Sequence, residues 1–167
     1  MDDFSQKILK ELLPVEKELA PRAPSKKDEA PHIDHWSHPV LLERAAYLRK
    51  LAKFGDGQAS ETLQQYPHHA AMLSFRARDG EAELYEHFAD IFCVLDGRAT
   101  LITGGRIVES KVIAPGETRG TSILGGAVQE LRAGDVAHVP ARLAHQILVR
   151  GEQAFTSLVI KIGDQDR

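Results

Sequence analysis

The sequence predicts an all-β domain, a barrel or sandwich, preceded by an N-terminal helical arm. Three observations carry that expectation. Helical periodicity ends at Phe54. From Ala71 onward, short apolar runs alternate with Gly and Pro punctuation at the spacing of β-strands. Between Glu83 and Gly97 the chain reads ELYEHFADIFCVLDG, placing Glu83, Tyr85 and His87 at spacing two. On a strand that spacing aims three ionisable side chains at one face.

A chain of 167 residues with 43% hydrophobic content is expected to form one domain with an extension. The expected division is a helical extension and linker over residues 1–55 and a β-barrel over 56–167. A net charge of -3 without a dense Lys/Arg stripe argues against nucleic acid as a partner, and the Lys26-Lys27 pair is too small to change that. Acids stand in MDDFSQK where a signal peptide needs a basic region, and no apolar run approaches the roughly 18 residues of a membrane span. A cytoplasmic protein with no membrane partner is the expectation. Cys93 is the single cysteine, so no internal disulfide forms; its apolar neighbours suggest a buried structural thiol.

Taken in order, Phe4, Ile8, Leu9, Leu12 and Leu13 mark one face of a short helix that Pro14 ends or kinks. Ala20 to Ala30 (APRAPSKKDEA) has the composition of an extended connector. His32, His35, Trp36 and His38 crowd before the next helix. They read either as a metal or acidic-ligand site or as a helix start, with Ser37 or His38 near the cap and Pro39 at the first helical position. From Val40 to Phe54, Leu41, Ala45, Leu48 and Ala52 form one stripe and Glu43, Arg44, Arg49, Lys50 and Lys53 a polar side. That helix must cover the outside of a barrel or a second subunit.

Strands are expected at Ala71 to Arg78, Ile91 to Leu95 (closed by an Asp96-Gly97 turn), Ala99 to Thr103, Arg106 to Val112, Gly120 to Leu124, Ala127 to Arg132, Asp135 to Val139, Gln146 to Arg150 and Ala154 to Ile162. The Glu83 stretch is expected to form a hairpin with the strand that follows. In the segment Gly104 to Gly134, the middle, IAPGETRGTSILGG (Ile113 to Gly126), is expected to form an extra hairpin or a lid at the barrel mouth.

Two stretches together point to a family. In the first, Gly97 follows Asp90 by seven positions, His87 precedes Asp90 with two residues between, and Tyr85 lies two before His87. In the second, GDVAHVPARLAH, stand Gly134, Pro140 and His145. The pair resembles the two short motifs of the cupin superfamily, small jelly-roll β-barrels, over about the last 100 residues. Tyr85 stands where the family has its first motif histidine, Asp90 where it has glutamate, Arg142 where it has glycine and Val149 where it has asparagine. The resemblance implies a cupin jelly-roll barrel with a small-molecule pocket, often metal-bearing and often homodimeric. Its members include dioxygenases, sugar isomerases and epimerases, and decarboxylases.

His87, Asp90 and His145 would supply two imidazoles and a carboxylate to a divalent metal ion such as Fe, Mn, Ni or Zn, with open positions for a ligand. Tyr85 or Glu83 would add an oxygen, Tyr85 being a candidate catalytic group. Phe92 and Val94 share a face with Asp90 and form an apolar pocket floor or plain core. His138 has the parity of Val136 and points either to the pocket or outward. His68 and His69 either close over the pocket mouth or lie in a solvated loop. Arg142 is a candidate to pair with an anionic substrate. No phosphate loop, dinucleotide fingerprint or nucleophile elbow appears, so no organic cofactor is expected. Two functions follow: a metal-dependent enzyme on a small oxygenated substrate, or a non-catalytic small-ligand-binding or regulatory barrel that has lost its metal, which the Tyr85 exchange favours. With strand edges and an apolar helix face available, a homodimer is expected. Solution scattering should return twice the monomer mass, and a monomeric mass would contradict it.

Overall fold

The computed structural model describes residues 33–151 and 153–163. The expected helix at Met1 to Leu13, the Ala20 to Ala30 connector and His32 lie outside the described residues. The described residues from Asp34 to Gly163 form one compact unit.

Helix α1 (His38–Ala52) has Pro39 in its first turn and Arg49 and Lys50 in its last, where cations suit the carbonyl end. Its buried residues are Leu41, Ala45, Leu48 and Ala52, the stripe that the sequence predicts. They pack with Leu73 and Phe75 of β2 (His69–Arg76). A two-pronged hydrogen bond adds to this: Arg44 Nε and Nη2 donate to the two Glu61 carboxylate oxygens, at 2.7 and 2.9 Å, in β1 (Gln58–Gln65). The helix therefore covers the outer face of a sheet. Strand β1 escaped the sequence reading because QASETLQQ has no apolar alternation and is mostly half-buried.

The remaining strands are β3 (Ala82–Tyr85), β4 (Phe88–Thr103), β5 (Arg106–Val108), β6 (Lys111–Ala114), β7 (Glu117–Gly120), β8 (Ser122–Leu124), β9 (Ala127–Arg132), β10 (Val136–Val139), β11 (His145–Leu148) and β12 (Phe155–Gly163). They pair antiparallel in the order β1-β2-β12-β4-β11-β3-β7-β6, with β9 and β10 also on β4 and a separate β5-β8 pair. Strand β4 is the spine. Its first half pairs with β12 and β10, and its second half with β9 and β11. Between the layers lies the main core, including Phe92, Val94, Leu101, Leu131, Val139, Ile147, Phe155 and Val159.

Two expectations are corrected. Asp96-Gly97 is not a hairpin turn, because β4 runs straight through it. Opposite it, the β12 register shifts between Thr156 and Ser157, which face Asp96 and Val94, so an extra residue bends the strand from one sheet into the other. The expected strands Arg106 to Val112 and Gly120 to Leu124 each break into shorter pieces: β5 and β6, then β7 and β8. Of hairpin or lid, the segment at Ile113 to Gly126 contributes the hairpin β6-β7, and β7 pairs with β3 as part of the sheet.

The bend in β4 depends on Gly97. Its φ is 80°, and a Cβ there would collide with the Ala154 carbonyl oxygen. Gly97→Ala is expected to cost about 2–4 kcal/mol by combining left-handed strain with that clash. Urea denaturation of the variant against wild type measures it; a loss under about 0.5 kcal/mol would show that the crossing tolerates a side chain.

Candidate functional site

Strand register brings the site together. His145 of β11 lies opposite Glu83 of β3, and Glu83 lies opposite Arg119 of β7. On the facing part of the barrel, Asp90 of β4 lies opposite Lys161 of β12. Among the described residues, Glu83, Asp90 and His145 each offer one donor atom within 4.8 Å of the others. Asp90 and His145 are both only 3% exposed. His145 Nε2 is 3.4 Å from Asp90 Oδ2 and 3.8 Å from Glu83 Oε2. Its Nδ1 faces the Leu143 carbonyl at 3.4 Å. A proton on Nε2 is donated to Asp90, whereas the tautomer with the proton on Nδ1 donates to that carbonyl and turns a lone pair to the carboxylates.

Two carboxylates and an imidazole nitrogen in a barrel interior require a cation among them. Lys161 Nζ donates to Asp90 Oδ1 at 2.8 Å and to Oδ2 at 3.2 Å, and it stands 3.4 Å from the Tyr85 ring centroid. Arg119 Nη1 pairs with Glu83 Oε1 at 2.5 Å, while its Nε donates to Glu117 Oε1 at 2.8 Å. The Tyr85 hydroxyl joins the two halves, donating to Glu83 Oε2 at 3.1 Å and accepting from Arg119 Nη2 at 2.6 Å. Burial pushes the Asp90 carboxyl up, but the His145 hydrogen bond and the Lys161 ammonium outweigh it and hold the group below the usual carboxylate range. Burial, then the Glu83 charge, pushes the Tyr85 phenol well above its ordinary value, so it stays a neutral hydroxyl.

These groups line a cavity of about 370 Å³, with Met72, Ser74 and Arg76 from β2 and Phe155, Ser157 and Val159 from β12. Alternation explains the wall. In β2 the residues between them, Leu73 and Phe75, face α1 instead.

The expected site residues are placed as follows. Glu83 and Tyr85 share a face and touch, as spacing two predicts. His87 does not join them, because β3 ends at Tyr85 and β4 begins at Phe88, so the alternation stops before it. Its ring lies beside Gly116 in the β6-β7 turn, with Nε2 3.7 Å from Glu86. The converging trio therefore contains Glu83 where the sequence reading had His87. Phe92 lines the cavity and meets the His145 ring edge-on at 5.9 Å. Val94 belongs to the core. His138 is exposed and points outward with Val136, opposite Ile91 in β4. Arg142 is also exposed, at φ 67°, and meets the site only through its backbone N–H, which donates to the Tyr85 carbonyl at 2.7 Å. His68 and His69 are exposed, His69 stacking on Tyr66 at 4.3 Å, and Cys93 is half-buried. Sequence reasoning missed Arg119 and Lys161. Lys161 shares the parity of Ser157 and Val159, a readable signal; Arg119 had none, since its role depends on the β3-β7 register.

As a donor set, two carboxylates and one imidazole are compatible with a metal ion. Glu83, Asp90 and His145 would hold it. Both carboxylates already carry a side-chain cation, and Lys161 engages both oxygens of Asp90.

No family model matches the sequence, and no curated relative matches it. Solved structures do resemble it. An uncharacterized conserved protein with a double-stranded β-helix domain from Klebsiella pneumoniae is 14% identical, over 66% of this chain and 80% of that one, at a TM-score of 0.48. A cupin superfamily protein from Desulfitobacterium hafniense is 20% identical, over 64% and 78%, at 0.45. A sugar phosphate isomerase from a cupin superfamily in Silicibacter pomeroyi is 18% identical, over 65% and 61%, at 0.45. The described strands form an antiparallel barrel with α1 on its outer face. Among the described residues no helix is long and apolar enough to cross a membrane.

The Asp90 pairing gives a signed pH dependence. Its folded pKa lies below the unfolded value of about 3.9, so its contribution is present above that value and is lost as pH falls through the folded one. The difference in unfolding free energy between wild type and Asp90→Asn should be largest near neutrality and shrink toward pH 3. Denaturant titrations across that range check it, and a difference that grows on acidification would reverse the sign.

Proposed function

We propose that this chain binds a small oxygenated molecule in the barrel cavity, with Glu83, Asp90, His145, Tyr85, Arg119 and Lys161 as the recognition centre. The observation that supports the reading most is their convergence in a cavity of about 370 Å³, within the roughly 300–1,000 Å³ usual for small-ligand sites. Its charges narrow the ligand class. The wall carries the carboxylates of Asp56, Glu81, Glu83 and Asp90 against the cations of Arg76, Arg119 and Lys161. Each of those cations is engaged: Arg119 and Lys161 as described, Arg76 by Gln58 Oε1 at 2.5 Å and Glu83 at 3.7 Å. A phosphate or polycarboxylate would have to break one of these pairs. A hydroxyl-rich, neutral or zwitterionic ligand instead finds acceptors, donors and an apolar floor at Phe92 and Val159.

The donor trio favours a second reading, a divalent-metal-dependent enzyme. An ion at Glu83, Asp90 and His145 would polarise a ligand oxygen as a Lewis acid. The chain's own residues would then orient the ligand through Arg119 and the neutral Tyr85 hydroxyl.

Calorimetric titration with a panel of polyols, sugars, hydroxy acids, amino acids and their phosphorylated counterparts tests the first reading. One neutral or zwitterionic class should bind wild type and lose on the order of tenfold or more in affinity in His145→Ala. A ligand bound equally by both would remove the cluster from recognition, and tighter binding of the phosphorylated members would overturn the charge argument.

A further inference from the structure

The position of Lys161 carries a consequence for the metal question at this same cluster. Its ammonium spans both oxygens of Asp90, at 2.8 and 3.2 Å, so a second cation at either oxygen would have to share it with a like charge. The Tyr85 ring face lies 3.4 Å away, and the Phe88 ring adds a second, weaker aromatic neighbour at 6.0 Å. The placement is fixed by the backbone: Lys161 sits directly opposite Asp90 in the β4-β12 ladder. On the other side, Arg119 pairs with one oxygen of Glu83, Oε1, again from the directly opposed position. A divalent ion at the trio would face an ammonium and a guanidinium across a few ångströms of low-dielectric interior.

We propose that Lys161 is the resident cation of this site, and that its ammonium and a divalent metal ion exclude each other at Asp90. The site keeps three groups that would suit a metal, and one of them, Asp90, already carries a side-chain cation of its own chain. The inference deepens the cavity reading above, yet it concerns cation occupancy alone. Failure to find an organic ligand would leave it standing, and a ligand could bind whichever cation is present.

The test compares metal content and calorimetric titration with Mn²⁺ and Zn²⁺ for wild type, Lys161→Met, Lys161→Arg, and Lys161→Met combined with Asp90→Asn. Wild type purified without added metal should hold well under one equivalent and bind both ions weakly. Lys161→Met should bind one equivalent more tightly by on the order of tenfold or more. Lys161→Arg keeps the charge and should behave as wild type, and adding Asp90→Asn should abolish the gain. One equivalent of metal in wild type as purified overturns the proposal, as does a folded Lys161→Met that binds no better than wild type. Should Lys161→Met fail to fold, as loss of the partner of a buried charge allows, the wild-type content and affinity decide: weak, substoichiometric binding supports it and tight binding sinks it.

Discussion

Two carboxylates inside one barrel, each opposed across a strand pair by a cation, set the terms for the rest of the site. Asp90 is almost wholly buried, and an unpaired charge there would be held at a cost of several kcal/mol. The β4-β12 ladder answers it with Lys161, and the β3-β7 ladder answers Glu83 with Arg119. Because the partners face each other in register, the chain need not order a long flexible arm across open space to satisfy them. Tyr85 then couples the pairs, its hydroxyl bound to Glu83 and Arg119 and its ring beneath the Lys161 ammonium.

That arrangement depends on the bend at Gly97. Strand β4 presents Asp90 and Phe92 to the cavity from its first half and carries Ala99 and Leu101 into the core from its second. Without the crossing, the strands that bear Lys161 and His145 would not flank the same β4. Helix α1 contributes from outside: by covering Leu73 and Phe75 it allows β2 to turn Met72, Ser74 and Arg76 inward. The helix residues that touch no ligand thus help to hold one wall of the cavity.

The charge balance also shapes what the cavity can do. The proposed preference for hydroxyl groups over phosphates rests on this balance, since cations already paired with carboxylates have less free charge to offer a ligand. The same pairing bears on the metal compatibility of the trio, since two of its three donors already carry a lysine or an arginine.

By itself the sequence determined the all-β barrel and the buried stripe of α1 and singled out Glu83, Tyr85, Asp90, Phe92 and His145, which line the cavity, because these follow from periodicity within one element or from short motifs. Only the tertiary structure decided which side chains complete the site. His87 misses it because β3 ends two residues too soon, and Arg142 and His138 miss it because a positive-φ loop and an outward parity turn them to solvent. Arg119 and Lys161 enter it through strand register, a relation between residues 36 and 71 positions away from Glu83 and Asp90 in the chain. No local pattern encodes that distance: parity with Ser157 and Val159 could have put Lys161 on the cavity face, but its pairing with Asp90, like that of Arg119 with Glu83, becomes visible only once the strands are paired.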